Sequence, residues 1–153
     1  MESATVSPEE VMRTYKVIAV VGASKNPQKE AHAVPLYLKT NGYRVVPINP
    51  TADEVLGERS YSSLGELPDS VASQVEVVDV FRPSEELGDV ARQVVEMKER
   101  HHRDYVFWAQ LGLESEEAKK ILGENGIPYV MNACMKMVHA SLSDEHQAGG
   151  VSG

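Results

Sequence analysis

Short, unbroken runs of β-branched and small apolar residues alternate along this chain with segments of helical periodicity. That alternation restricts the fold more than any other feature. Val17-Ile18-Ala19-Val20-Val21 stops at Gly22, and Tyr43-Arg44-Val45-Val46-Pro47-Ile48 stops at Asn49-Pro50. Val75 to Val80, Tyr105 to Ala109 and Pro128 to Met131 repeat the pattern. Such runs suit strands buried on both faces, with Pro47 allowed only near a strand end. Between them, helices are expected over Ala31 to Asn41, from a cap at Ser84-Glu85-Glu86 onward, and from Ser115-Glu116-Glu117 to a stop at Gly126. Leu87, Val90, Ala91, Val94 and Val95 mark the apolar face of the second of these. Pro35 predicts that the regular part of the first begins close to that residue, because proline is tolerated in a first turn and not beyond. Ser7-Pro8-Glu9-Glu10 reads as a capping box opening a short helix through about Tyr15. The stretch Thr51 to Ser73 has no sustained period and is expected to form loops with a short helical turn near Ser63 to Leu67. Connections this long between strands are right-handed crossovers, so the expected fold is α/β: a three-layer Rossmann-like domain with a five-stranded parallel sheet.

A chain of 153 residues is one domain's worth, here placed at 1–142, with 143–153 too small and polar to pack and so expected to be a disordered tail. A net charge of -8, from 15 basic and 23 acidic residues, argues against nucleic acid as a partner. No apolar run approaches the roughly 20 residues of a membrane span. The single cysteine, Cys134, excludes a disulfide framework and a cysteine-based zinc cluster. With no signal peptide visible at Met1-Glu2-Ser3-Ala4, a reducing cytoplasmic location is expected.

Ligands of such sheets bind beyond the carboxyl ends of the strands. This directs attention to residues 22–29, 49–50, 81–82, 109–113 and 132–139. The first of these loops, Gly22-Ala23-Ser24-Lys25-Asn26-Pro27-Gln28-Lys29, combines a tight-turn glycine, small residues, a hydroxyl and two lysines. It suits a phosphate at a helix N-terminus, though an ordinary tight turn would read the same way. A nicotinamide dinucleotide is disfavoured. The glycine fingerprint is broken by Ser24 and Pro27, and Asn49-Pro50 stands where an acidic residue would hold the ribose. Lys25 and Lys29 instead offer charge for an additional phosphate, as on a 3′-phosphorylated adenosine diphosphate.

Taken together, Val21-Gly22-Ala23-Ser24, Gly42 to Pro50, Leu56-Gly57-Glu58, Val78-Asp79-Val80-Phe81-Arg82, Trp108-Ala109-Gln110-Leu111-Gly112 and Cys134-Met135-Lys136 make the chain resemble the small stand-alone CoA-binding proteins. Their fold is similar to the nucleotide-binding domain of the succinyl-CoA synthetase α subunit. The resemblance spans roughly Val17 to Leu142. It implies that Gly22, Ala23 and Ser24 wrap the pyrophosphate of coenzyme A, that Lys25 and Lys29 face phosphate groups, and that Asn49, Pro50, Phe81 and Arg82 flank the adenosine. It also implies that Trp108, Gln110 and Gly112 border the path of the pantetheine arm. The family commonly has arginine at the position of Lys29, so charge is kept and bidentate grip is lost. It also tends to read Asp-Arg-Cys where this chain has Asn132-Ala133-Cys134, which removes one charge of each sign.

Several of these residues also have purely structural readings. Trp108 sits in an apolar strand and suits the core better than a ligand contact, and Phe81 suits either. Arg82 needs an anion or an acidic neighbour, for which Asp79 and Glu85 are candidates. Gln110 can bond a ligand or cap a loop. Cys134 reads first as a small buried hydrophobe and second as a thiol near the CoA sulfur. Met131, Met135 and Met137 are expected to pack the fifth strand and its exit. The five histidines form no metal signature, and His101-His102 reads as solvated surface. The function these readings support is binding of CoA or an acyl-CoA without chemistry of its own. The alternatives are a small enzyme acting on a CoA thiol or thioester through Cys134 and His139, and an NAD(P)-binding protein.

Overall fold

The computed structural model describes residues 6–142, so the stretch 143–153 expected to be a disordered tail lies outside the described residues. Five parallel strands, β1 (Val17–Val21), β2 (Arg44–Ile48), β5 (Val77–Val80), β6 (Val106–Ala109) and β7 (Tyr129–Val130), form one sheet in the order β2-β1-β5-β6-β7. This is the expected doubly wound sheet. Its register aligns Val20 with Pro47 on one side and with Asp79 on the other, and Asp79 in turn with Trp108.

Alternation along the strands sends side chains into two cores, one on each face. On one face Ala19, Val78, Val80, Phe107 and Ala109 pack with Leu87, Val90, Ala91 and Val94 of α4 (Leu87–His101) and with Ala118 and Leu122 of α5 (Glu116–Glu124). On the other, Ile18, Val20, Val77, Val106 and Trp108 pack with α1 (Pro8–Thr14), α2 (Glu30–Thr40) and Met135, which opens a helical segment at residues 135–142. Three layers result. Ser7 caps α1 by accepting from the Glu10 N–H at 3.3 Å, and Ser115 caps α5 by accepting from the Ala118 N–H at 3.0 Å. Removing the second hydroxyl, Ser115→Ala, is expected to cost about 1 kcal/mol, read as a Tm lower by a few degrees in thermal denaturation.

Three expectations need correction. Pro35 lies well inside α2, which begins at Glu30. The Ala31 carbonyl, whose intrahelical partner the proline removes, accepts instead from the Ser24 N–H at 3.1 Å. Ser84 does not cap α4 with its side chain. It starts a 3-10 turn at Ser84–Glu86, and its hydroxyl accepts from the Glu114 N–H at 3.1 Å, tying the exits of β5 and β6 together. Between Thr51 and Ser73 the expected turn appears at Leu64–Glu66, but a two-residue hairpin, β3 (Glu54–Val55) with β4 (Glu58–Arg59), and a short α3 (Asp69–Ala72) were not expected.

Candidate functional site

The carboxyl ends of β1, β5 and β6 open on a cleft of about 530 Å³. Its walls come from the first turn of α2 (Lys29 to Ala31), from Phe81-Arg82-Pro83 after β5, from Gln110, Leu111 and Leu113 after β6, and from Cys134, Lys136 and Met137. A second cavity of about 460 Å³ opens beside the end of β2, where Asn49, Pro50, Arg59 and Tyr61 meet. The Arg59 guanidinium stands 5.2 Å over the Tyr61 ring.

The start of the loop after β1 lies between these spaces. Gly22 donates its N–H to the Ile48 carbonyl at 3.0 Å and takes φ +87°, and a Cβ on it would sit 2.6 Å from the Phe81 carbonyl oxygen. Only glycine fits there. The Asn49 Nδ2 donates to the Ala23 carbonyl at 2.9 Å, while its Oδ1 accepts from the Thr51 N–H at 2.8 Å, so this side chain clamps two loops. The Ser24 Oγ accepts from the Asn26 N–H at 3.0 Å, and the Asn26 Oδ1 accepts from the Gln28 N–H at 2.9 Å. These side-chain turns fix the loop and deliver it to α2. The N-terminus of α2 has no side-chain cap, and its first residues line the cleft. An uncapped helix start carries partial positive charge and free amide donors.

Around this helix start, Lys29, Arg82 and Lys136 supply positive charge and Glu30 supplies negative charge. Arg82 is held by Glu86, with Nε and Nη2 at 3.0 Å from its two carboxylate oxygens, rather than by Asp79 or Glu85. The pair is half-exposed, so it is weak, and Arg82 can turn to a stronger anion at little cost.

The floor is chemically different. Gln110, 4% exposed, donates from Nε2 to the Oδ1 of fully buried Asp79 at 2.6 Å. The other oxygen of Asp79, Oδ2, has no hydrogen-bond partner. Burial raises the Asp79 carboxyl to about pH 7, partly opposed by the Gln110 carboxamide and the Val80 amide.

Of the residues singled out from sequence, Lys29, Phe81, Arg82 and Gln110 share the cleft, and Asn49 and Pro50 border the second cavity. Lys25 is exposed on the loop and lines neither space. Gly112 takes φ +86° and donates its N–H to the Asn132 Oδ1 at 2.7 Å, which shapes the exit of β6. Trp108 does not border the cleft. It has no exposed surface, and its indole N–H donates to the Ala133 carbonyl at 2.8 Å, which makes it a core residue that also fixes the last loop.

Leu111, Lys136 and Met137 were missed as cleft residues, although they lie in the segments after β6 and β7 that the topology points to. Met137 is 64% exposed rather than packed. His101 also departs from its expected surface position, its side chain being 5% exposed and 3.2 Å from Asp69. Cys134 lines the cleft as a half-buried thiol. His139 is directed elsewhere. Its Nδ1 meets the Tyr37 hydroxyl at 2.7 Å, its ring packs edge-on against Tyr37 and Tyr43, and burial, aided by the charge of Lys16, lowers its pKa. Among the described residues, no group of three or more His, Cys, Asp or Glu could hold a metal ion, and no helix is long and apolar enough to cross a membrane.

Comparison with known proteins finds relatives that cover nearly the whole chain. The Bacillus subtilis (strain 168) protein YneT is 40% identical over 132 residues, covering 86% of this chain and 91% of YneT. A solved structure from Thermus thermophilus, cell-free ID.343, superposes with a TM-score of 0.77 at 36% identity, covering 90% of this chain and 99% of that one. An ADP-forming acetate–CoA ligase of Archaeoglobus fulgidus is 38% identical over 58 residues, 37% of this chain and 9% of the ligase. The profile of the CoA binding domain matches residues 16–140, spanning both cavities and the loop between them, and the chain therefore belongs to the CoA-binding domain family.

Proposed function

We propose that this protein binds coenzyme A or an acyl-CoA in the cytoplasm and catalyses no reaction on it. The adenosine occupies the cavity beside Asn49 and Pro50. The pyrophosphate crosses the Gly22-Ala23-Ser24 loop to the start of α2, and the pantetheine arm lies in the cleft past Phe81 and Gln110. The observation that carries this reading is the uncapped N-terminus of α2, which opens into the cleft among Lys29, Arg82 and Lys136. Backbone donors and mobile cations at one point suit a polyanion, and apolar walls from Phe81, Leu113 and Met137 beyond them suit a long, thin, mostly uncharged arm. Asn49, committed to the Ala23 carbonyl and to Thr51, supplies no carboxylate for a ribose, which favours CoA over a nicotinamide dinucleotide.

A thermal-shift panel with CoA, acetyl-CoA, 3′-dephospho-CoA, NAD, NADP and ATP tests it. A ligand at about a hundred times its Kd adds ~2.7 kcal/mol and raises Tm by several degrees. CoA and acetyl-CoA are expected to shift the transition, dephospho-CoA less. A shift with NAD or NADP alone would overturn the reading. Lys29→Ala is expected to weaken CoA binding about tenfold in calorimetric titration and to narrow the preference for CoA over 3′-dephospho-CoA. Equal losses for both ligands would remove Lys29 from recognition of the 3′-phosphate.

A second reading, chemistry at the CoA thiol through Cys134, is favoured by the position of that thiol on the cleft wall. Unchanged CoA affinity in Cys134→Ala, with no thiol-dependent turnover in the wild type, excludes it.

A further inference from the structure

Asp79 is the one ionisable side chain of β5, placed between Val78 and Val80, which pack into the opposite core. Its neighbours across the sheet are Val20 and Trp108. No element of the fold requires a carboxyl at this point: it caps no helix, and no ion pair includes it among the described residues. Its one side-chain bond is from the Gln110 Nε2, and its Oδ2 is left without a partner. Among the described residues no donor reaches the Gln110 Oε1, and this atom is not sealed from solvent, which leaves it open to the cleft that Gln110 lines.

A glutamine alone can present either end of its carboxamide to a ligand. A carboxylate accepts hydrogen bonds and cannot donate them, so it selects the NH2 end for itself. We propose that Asp79 is a positioning residue: by taking the Nε2 of Gln110, it turns the Gln110 carbonyl oxygen toward the cleft as the acceptor for an amide N–H of the bound ligand. This rests on the CoA reading, since the pantetheine arm is the part of CoA that carries amide N–H groups.

The arrangement is sensitive to protonation. A protonated Asp79 can donate to Gln110 and reverse its carboxamide, and ionisation through about pH 7 removes that option. On the elements packed over this face, the titratable groups include His32 and Tyr37 of α2, Tyr43, then Cys134, Lys136 and His139, with Lys29, Glu30 and Arg82 at the cleft mouth. None of them contributes to the shift of Asp79, which is caused by burial.

The test compares CoA with the terminal methyl ester of 3′-phosphoadenosine 5′-diphosphate, which has the same doubly esterified pyrophosphate and 3′-phosphate and no arm, by calorimetric titration between about pH 6 and pH 8. The titration of the phosphates cancels in the ratio of the two affinities. In the wild type the ratio is expected to rise in favour of CoA as pH passes 7. Gln110→Leu is expected to lose about tenfold in CoA affinity, and Asp79→Asn threefold or more, with the fragment changed by less than about twofold. The ratio should become independent of pH in both variants. Asp79→Asn preserves size and keeps the test valid if Gln110→Leu folds poorly. A wild-type ratio that is flat with pH and unchanged in Asp79→Asn overturns the positioning role while CoA binding stands. A wild type that binds neither compound overturns the CoA reading itself, and the positioning role with it.

Discussion

Asp79→Asn will flatten the pH dependence of folding stability. The Asp79 carboxyl titrates near 3.8 when exposed in the unfolded chain and at about 7 in the native protein. Below pH 3.8 both states hold the proton, and the neutral acid is tolerated in the core. As pH rises from there to about 7, the unfolded chain releases its proton and the native protein does not, so unfolding becomes progressively easier. Above 7 both states are ionised and the loss is complete. A shift of this size corresponds to about 4 kcal/mol over the whole window, more than half of which falls between about pH 5 and pH 8. Urea denaturation of wild type and Asp79→Asn at those two pH values isolates the effect, because every other titrating group is shared. The wild type should lose that stability relative to the variant on going to the higher pH. If the two proteins stay parallel, Asp79 is not buried as a neutral acid.

The second large effect is expected from Gly22→Ala. An alanine there must hold φ +87° and place a Cβ 2.6 Å from the Phe81 carbonyl. That carbonyl cannot easily withdraw, because the Phe81 N–H is bonded to the Val21 carbonyl at 2.8 Å and holds the strand end in the sheet. Left-handed backbone costs about 1–2 kcal/mol for a side-chain-bearing residue, and displacing the end of a buried strand brings the total to roughly 3–5 kcal/mol, a fall in Tm of about 10 °C. Gly42→Ala is the control, since Gly42 has φ +92° and nothing within 4 Å of its would-be Cβ. It should cost the backbone strain alone, and an equal loss at both positions would show that contact with Phe81 plays no part.

The sheet was readable because its strands are buried on both faces, and short continuous apolar runs such as Val17 to Val21, stopped by a glycine, suit such strands. Two of the misreadings share one cause: a local rule was applied where a distant partner decides. Pro35 was placed in a first turn because the carbonyl it orphans was given no other donor, yet Ser24 supplies one from across the loop. Ser84 was read as a cap although its hydroxyl serves Glu114, 30 residues away. The β3–β4 hairpin turns on Leu56 at φ 56° and Gly57 at φ 75°, and leucine is so unusual in left-handed backbone that its sequence gives no turn signal.

For the candidate site, topology pointed to the loops that line the cleft, because crossover connections leave the strand ends open at one edge. It could not say which side chains turn inward. Trp108 and Gln110 lie two apart on the same face of β6 and its exit, and only the end of the strand separates a core residue from a cleft residue. The orphaned Oδ2 of Asp79 has no sequence signal at all. From the sequence, Asp79 served as part of one motif that carries the family resemblance and as a possible partner for Arg82.

The bond from Ser24 to Ala31 makes the shape of the loop depend on an imperfection in α2. Continuity of the helix and anchorage of the loop compete for one carbonyl, and Pro35 decides the contest for the loop by having no hydrogen to offer. A residue buried inside the helix, lining neither cavity, is in this way a determinant of where the loop's backbone stands. Repairing the helix with a better helix former at that position would set a more regular α2 against the loop it now holds.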